Sequence, residues 1–287
     1  MGRVMRRIAL ACLVAVAGAA AASTADGPRE DVAPESPQQL LERAFRNLYG
    51  DDFVQVMTLS TRRAQGTPMV RRLQVTRKQS VRPGKSLVRF LEPQTVRNTA
   101  VLILENEGAY DDFFVYLPAL RRARRIAGSQ RGDSFFGTDL TYEDVEPKYA
   151  SDWDATLVGT DEVAGLACHV LDLRPRAGFE SVYERMVSCI EPNRATILRT
   201  DFHRAGVAFK RLTIDPEHVR DVRGRQIPFR MTLATPRQRS ETVVATERYE
   251  LRPDIPDTMF SASNLEGGSA SGDRRQAGDT SDVVETR

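Results

Sequence analysis

The chain has 287 residues, with 41 basic and 39 acidic side chains and a formal net charge of +2. Three of the basic residues (Arg3, Arg6, Arg7) sit in the first seven positions, and setting them aside leaves 38 basic against 39 acidic. Such a balance gives no electrostatic basis for binding nucleic acid, and a chain of this length buries a full core in one large domain or two small ones.

Those three arginines precede an apolar and small-residue run over 8–22, which closes in Ala20, Ala21, Ala22, Ser23, Thr24 and Ala25. A charged start, a short apolar run and a small-residue cleavage site predict a secretory signal peptide over 1–25. The run is shorter than the roughly 20 residues a membrane span needs. The mature chain is therefore expected outside the cytoplasm. Residues 26–35 read as a flexible lead-in. Ser36, Pro37 and Gln39 then form a helix start, with Ser36 as N-cap and Gln39 at the capping-box position. Leu40, Leu41, Ala44, Phe45 and Leu48 fall on one face of a helix over Pro37–Tyr49, which Gly50 ends.

Beyond Gly50 the hydrophobic period changes from 3.6 to 2. Segments 53–63, 69–82, 86–92, 100–107 and 109–117 read as successive strands, divided by Gly- and Pro-containing breaks. A second series covers 153–159, 166–174, 182–190, 196–204, 207–214, 227–234 and 242–251. Its clearest member alternates Ile227, Phe229, Met231 and Leu233 with smaller or polar neighbours. This pattern predicts one apolar and one wet face on a mostly antiparallel sheet. About twelve strands led to the expectation of a strongly curved sheet. Between the two series, 118–144 breaks the rhythm with a basic run (Arg121, Arg122, Arg124, Arg125) and then Phe135, Phe136, Leu140 and Tyr142. It reads as an irregular excursion packed across the sheet. The basic run fits either anionic headgroups or a solvated loop. The tail, 267–287, has almost no large apolar residues and is expected to be disordered.

Cys168 and Cys189 are the two cysteines outside the leader. In an oxidising compartment they are a candidate disulfide. Folding 166–174 onto 182–190 about Gly178 and Phe179 places them opposite each other on one face; two buried free thiols are the alternative. The sequence holds no metalloprotease, serine-hydrolase or phosphate-loop motif. Its three histidines (His169, His203, His218) lack metal-ligand spacing. Asp139, Glu143, Asp144 and Glu146 are carboxylates without a nucleophile beside them, and read as turn and capping groups. No catalytic residue, metal or cofactor is assigned.

The stretch Tyr116, Leu117, Pro118, Ala119, Leu120, Arg121, Arg122, followed by Arg124, Arg125, Ile126 and the run from Gly132 through Asp144, resembles the outer-membrane lipoprotein-sorting protein family, the LolA-like periplasmic carriers. The likeness extends in layout over most of the mature chain, to Ile255, Pro256, Asp257 and Phe260. It implies a mainly β (α+β) domain over 36–266: a strongly curved antiparallel half-barrel with helices covering its concave face. It also implies a monomeric, non-enzymatic carrier that moves a lipid or lipoprotein by its acyl chains toward the outer membrane, and a possible inner-membrane transporter partner. The acyl-chain contacts expected are Val101, Ile103, Phe113, Val115, Phe229, Met231 and Leu233 on the sheet, with Phe135 and Phe136 on the cover. Either parity remains open at 101–104, where four apolar residues run together. The alternative is an envelope adaptor or lipid-sensing module with a filled interior, working with a transporter without ferrying cargo.

Overall fold

The computed structural model describes residues 35–79, 82–106, 111–266 and 283–285. The expected leader, nearly all of the lead-in and most of the tail lie outside the described residues. In chain order the elements are α1 (Pro37–Tyr49), β1 (Phe53–Arg63), β2 (Met69–Lys78), β3 (Lys85–Glu92), β4 (Ala100–Leu104), β5 (Asp112–Leu117) and β6 (Arg122–Ile126). After an irregular crossing come β7 (Trp153–Val163), β8 (Leu166–Pro175), β9 (Arg185–Glu191), β10 (Thr196–Arg204), β11 (Val207–Ile214), β12 (Val219–Val222), β13 (Arg225–Pro228), β14 (Arg230–Thr235) and β15 (Ser240–Leu251). The chain closes with α2 (Ala262–Glu266) and β16 (Val283–Glu285). Thus three residues of the segment expected to be a disordered tail pair with β15.

A 14-stranded sheet takes the order β6-β5-β4-β3-β2-β1-β15-β14-β11-β10-β9-β8-β7, with β16 beside β15. Every pairing is antiparallel. β12 and β13 form a separate two-stranded ribbon. The chain starts at the middle of the large sheet, meanders out to β6, jumps to the far edge at β7, and meanders back until β15 pairs with β1.

This order corrects the half-barrel expectation. The sheet is open: β6 and β7 are its two edges and do not pair. Strand number alone does not force closure, because open sheets of 8–15 strands occur in large proteins. The two edges are also poor closure partners. β6 exposes Arg122, Arg124 and Arg125, and β7 is solvent-exposed over most of its length; edge charges of this kind discourage strand addition. Nor do helices cover one concave face. At 1.5 Å per residue α1 is about 20 Å long, whereas thirteen strands at about 4.8 Å spacing extend roughly 60 Å. α1 packs mainly on β7, β9, β10, β13 and the turn at Ala150–Asp152. The five-residue α2 joins Leu87, Leu102 and Tyr116 on the opposite face. That second cover settles the parity question at 101–104. Val101 and Ile103 face one side, Ala100 and Leu102 the other, and all four are buried.

The cover over the remaining face follows from topology. Because consecutive strands β6 and β7 are opposite edges, 127–152 must travel from one side of the sheet to the other. Its 26 residues reach at most about 90 Å when extended, enough for the crossing with slack for turns. Asp139 accepts hydrogen bonds from the hydroxyls of Ser240 (2.9 Å) and Thr242 (2.7 Å) on β15. Glu143 accepts from the backbone N–H of Val182 at 2.7 Å. Arg131 grips Glu146 (Nε to Oε1, 2.8 Å) and the carbonyl of Glu180 (3.0 Å). Asp144 pairs with Lys210 on β11 and accepts from the Tyr183 hydroxyl at 2.7 Å. The four carboxylates read from sequence as turn groups are buried or half-buried tethers of the crossing segment.

α1 forms as its capping box predicts: Gln39 N–H donates to Ser36 Oγ at 3.2 Å, and Ser36 N–H to Gln39 Oε1 at 2.8 Å. Its buried face carries Leu40, Leu41, Ala44 and Phe45. A disulfide joins Cys168 and Cys189, with Cα atoms 5.4 Å apart. The β8–β9 register pairs Val170 with Cys189, two residues away from the register that the turn at Gly178 suggested. A shift of two preserves the face, so the cysteines still meet, diagonally. The strand expected over 227–234 divides at Phe229. β13 ends at Pro228, which cannot donate to a ladder, and β14 begins at Arg230.

Candidate functional site

Two apolar clusters on the covered face meet at Leu212 and Met231. One gathers α1 against β8–β11; the other gathers β2–β5 against Phe135 and Tyr142 of the crossing segment. A third, around Phe53, Ile227 and Tyr249, adjoins them. Where the three meet, packing is incomplete and leaves a cavity of about 210 Å³. The pleat explains the lining. Phe53, Gln55, Met57 and Leu59 are alternate residues of β1, and Leu73, Val75 and Arg77 alternate residues of β2; all face the cavity. Phe45, Leu48 and Tyr49 of α1 close one side, and Phe135, Leu140 and Val145 of the crossing segment another.

Of the nine residues expected to contact acyl chains, Phe135, Met231 and Leu233 line this cavity. Val101, Ile103, Phe113 and Val115 are at most 2% exposed and lie in the packed cluster beside it. Phe136 packs on Phe90, ring centroids 4.6 Å apart. Phe229 belongs to the cluster of Phe53 and Tyr249, because the break after Pro228 takes it off the β14 register. Sequence reasoning missed the α1 contribution, the β9–β11 wall (Met186, Ile197, Phe202, Ile214) and the polar members. The polar members did leave a signal: Arg77 is in phase with Leu73 and Val75, a charge on an apolar strand face.

The cavity is not uniformly apolar. Arg77, Asp144, Lys148, Ser188 and Thr200 also border it. Arg77 is 5% exposed. Its Nε donates to Ser86 Oγ at 3.0 Å and its Nη2 to the carbonyl of Val145 at 3.2 Å. The guanidinium lies 5.3 Å from the Tyr49 ring centroid and 5.8 Å from that of Phe53. Burial pulls its pKa down, against the attraction of Tyr49 and Glu105. Lys148 donates to the Glu143 carbonyl at 3.0 Å. Burial works against its charge too, but Tyr49, Glu143, Asp144 and Glu146 outweigh that and raise its pKa. Burial pushes the Asp144 carboxyl up, yet Lys210 and Lys148 overcome it and hold the group below the usual carboxylate range.

Lys148 also borders a second, polar cavity of about 710 Å³, shared with Glu105, Asp111, Arg131, Glu146 and Tyr149. Glu105 Oε2 accepts from Tyr149 Oη at 2.6 Å and from Gly84 N–H at 2.8 Å. Burial, and Glu146 nearby, push the Asp111 carboxyl up to about 7. Among the described residues no group of three His, Cys, Asp or Glu side chains could hold a metal ion. No helix among them is long and apolar enough to cross a membrane.

An open antiparallel sheet crossed by one strap, with a partly open apolar cavity beneath it, defines the class. A family model described as "-like: Uncharacterized protein" matches residues 83–267, well over half of the chain, and the chain belongs to that family. A DUF1329 family protein from Desulfovibrio piger superposes with a TM-score of 0.74 at 27% identity, over 80% of this chain and 97% of that one. A domain described under outer membrane lipoprotein sorting, from Vibrio parahaemolyticus, gives 0.73 at 21% identity, over 80% and 98%. A LolA superfamily protein from Nitrosomonas europaea gives 0.66 at 18%, over 79% and 98%. The descriptions of these three name no enzymatic activity. No curated protein matches the chain.

Proposed function

We propose that this protein is a non-enzymatic carrier of the periplasm that shields the acyl chain of a lipid or lipoprotein in transit toward the outer membrane. The observation that carries the reading is the cavity of about 210 Å³ at the junction of three apolar clusters, beneath a strap held by polar tethers. Apolar burial is non-directional and worth about 0.8 kcal/mol per methylene, so such a space accepts hydrocarbon without chemistry. The likeness to a domain described under lipoprotein sorting and to a LolA superfamily protein agrees with this reading, and so does the signal peptide predicted from the sequence. Phe135, Met231 and Leu233 are the chain's proposed contacts with cargo. Native mass spectrometry of the full chain recovered from the periplasm tests the proposal. Adducts of lipid mass, removed by solvent extraction, are expected. A clean apoprotein that also takes up no 1-octanol would refute it.

One observation favours a second reading, an adaptor or lipid sensor serving an inner-membrane transporter. Most of the covered face is filled by the protein's own side chains, as around Phe90, Phe113 and Phe135. Stable co-purification with one membrane partner, and no lipid, would decide for it.

A further inference from the structure

Charge in an apolar enclosure costs free energy unless it is paired. Besides Arg131, which is paired with Glu146, three cations lie in or beside the interior. Lys210 is neutralised by Asp144, and both side chains are almost fully buried. Arg77 and Lys148 are different: neither has a carboxylate within ion-pair distance among the described residues. Arg77 Nε and Nη2 are held by Ser86 and Val145, and Nη1 has no hydrogen-bond partner among the described residues. Lys148 uses its bond to the Glu143 carbonyl and has two further N–H groups to offer. Glu105 acts on Arg77, and Glu143, Asp144 and Glu146 act on Lys148, all from beyond contact. Both cations border the apolar cavity, and Lys148 borders the polar one as well.

We infer that the apolar cavity is an amphiphile site selective for an anionic head, a carboxylate or phosphate seated between Arg77 and Lys148 at the boundary of the two cavities, with one hydrocarbon chain running toward Met231 and Leu233. This rests on the acyl-chain reading and adds the head chemistry. The geometry supplies what such a ligand needs. A planar guanidinium with a free N–H edge suits carboxylate and phosphate oxygens. The ammonium adds a second charge-assisted donor, and the larger polar cavity has room for whatever the head carries. A ligand anion would in turn supply the contact ion pair that no described carboxylate makes with Arg77 or Lys148. The competing explanation is that Arg77 is satisfied by the rings of Tyr49 and Phe53, as buried cations can be.

Calorimetric titration of the full chain with sodium octanoate, octyl phosphate and 1-octanol separates these cases. The two anions are expected to bind at least about tenfold more tightly than octanol, which corresponds to about 1.4 kcal/mol. Arg77→Met should collapse that ratio, and Arg77→Lys should retain part of it. Sodium acetate, which has the head without the chain, should bind at least about a hundredfold more weakly than octanoate. Octanol binding as tightly as both anions to the wild-type chain would overturn the inference and leave the carrier proposal standing. So would a preference that survives both Arg77→Met and Lys148→Met. Failure of all the eight-carbon ligands to bind would overturn both. The wild-type comparison decides even if a variant does not fold.

Discussion

For hydrocarbon lying within it, the apolar cavity should act as a ruler. At roughly 30 Å³ per water- or methylene-sized group, the 210 Å³ beneath the strap holds about seven carbons. Each contributes about 0.8 kcal/mol, a factor of about four in affinity. In calorimetric titrations of the n-alkanols from butanol to dodecanol, affinity should climb about fourfold per carbon up to heptanol or octanol and then level off. Seven buried methylenes amount to under 6 kcal/mol before ordering costs, so the best alkanol should bind no more tightly than about 0.1 mM. Leu233→Ala removes three heavy atoms from the cavity wall and should move the plateau out by two or three carbons, at a stability cost of about 2–5 kcal/mol. An unbroken rise to dodecanol in the wild-type chain would refute the reasoning, because it would mean that the strap lifts to admit more chain. A plateau unmoved by Leu233→Ala would refute the placement of the chain.

Three further outcomes test how the cover and sheet are held. Asp144→Asn leaves Lys210 charged and unpaired in the interior, and should cost about 3–5 kcal/mol in urea unfolding, whereas adding Lys210→Met should recover much of that loss; equal stabilities of single and double variants would contradict this. Replacing both Cys168 and Cys189 by alanine opens a loop with a sequence separation of 21 and should lower stability by about 3 kcal/mol, read from the shift in urea midpoint. Asp111 has its folded-state pKa raised to about 7 by burial, so the fold holds a proton there that the unfolded chain releases near pH 4. Its contribution is therefore complete below about pH 4 and is lost as pH rises through 7, by up to about 4 kcal/mol. Asp111→Asn should remove that slope, and an unchanged stability–pH profile in the variant would refute the assignment.

What the sequence made legible was local, and what it concealed was set by long-range pairing. α1 was readable from Ser36 through Gly50 because capping and a 3.6 period are properties of neighbouring residues. Most strands were readable from alternation, as was the disulfide, whose two cysteines share a face in either register. Three strands escaped, among them β16 in the stretch expected to be a disordered tail. β6 is mostly arginine and reads as a charged loop, but as an edge strand it hydrogen-bonds on one side only and needs no apolar pattern. β12 is only four residues long and pairs with β13 away from the main sheet. Whether the sheet closes was not readable at all, since alternation fixes which face a residue takes and says nothing of which strands become edges. That one topological fact, β6 and β7 at opposite ends, turned 127–152 from an excursion into a strap. It also explains why Asp139, Glu143, Asp144 and Glu146 are there: a segment crossing a whole sheet without regular structure must satisfy its own polar groups and be pinned at intervals. The cavity follows from the same cause. A strap fills a broad apolar face less completely than a row of helices would, and the gap falls where the α1 cluster and the Phe135 cluster fail to meet fully. Arg77 and Lys148 border that gap, so incomplete packing and two cations without a contact carboxylate among the described residues fall in one place, and an anionic amphiphile would answer both at once.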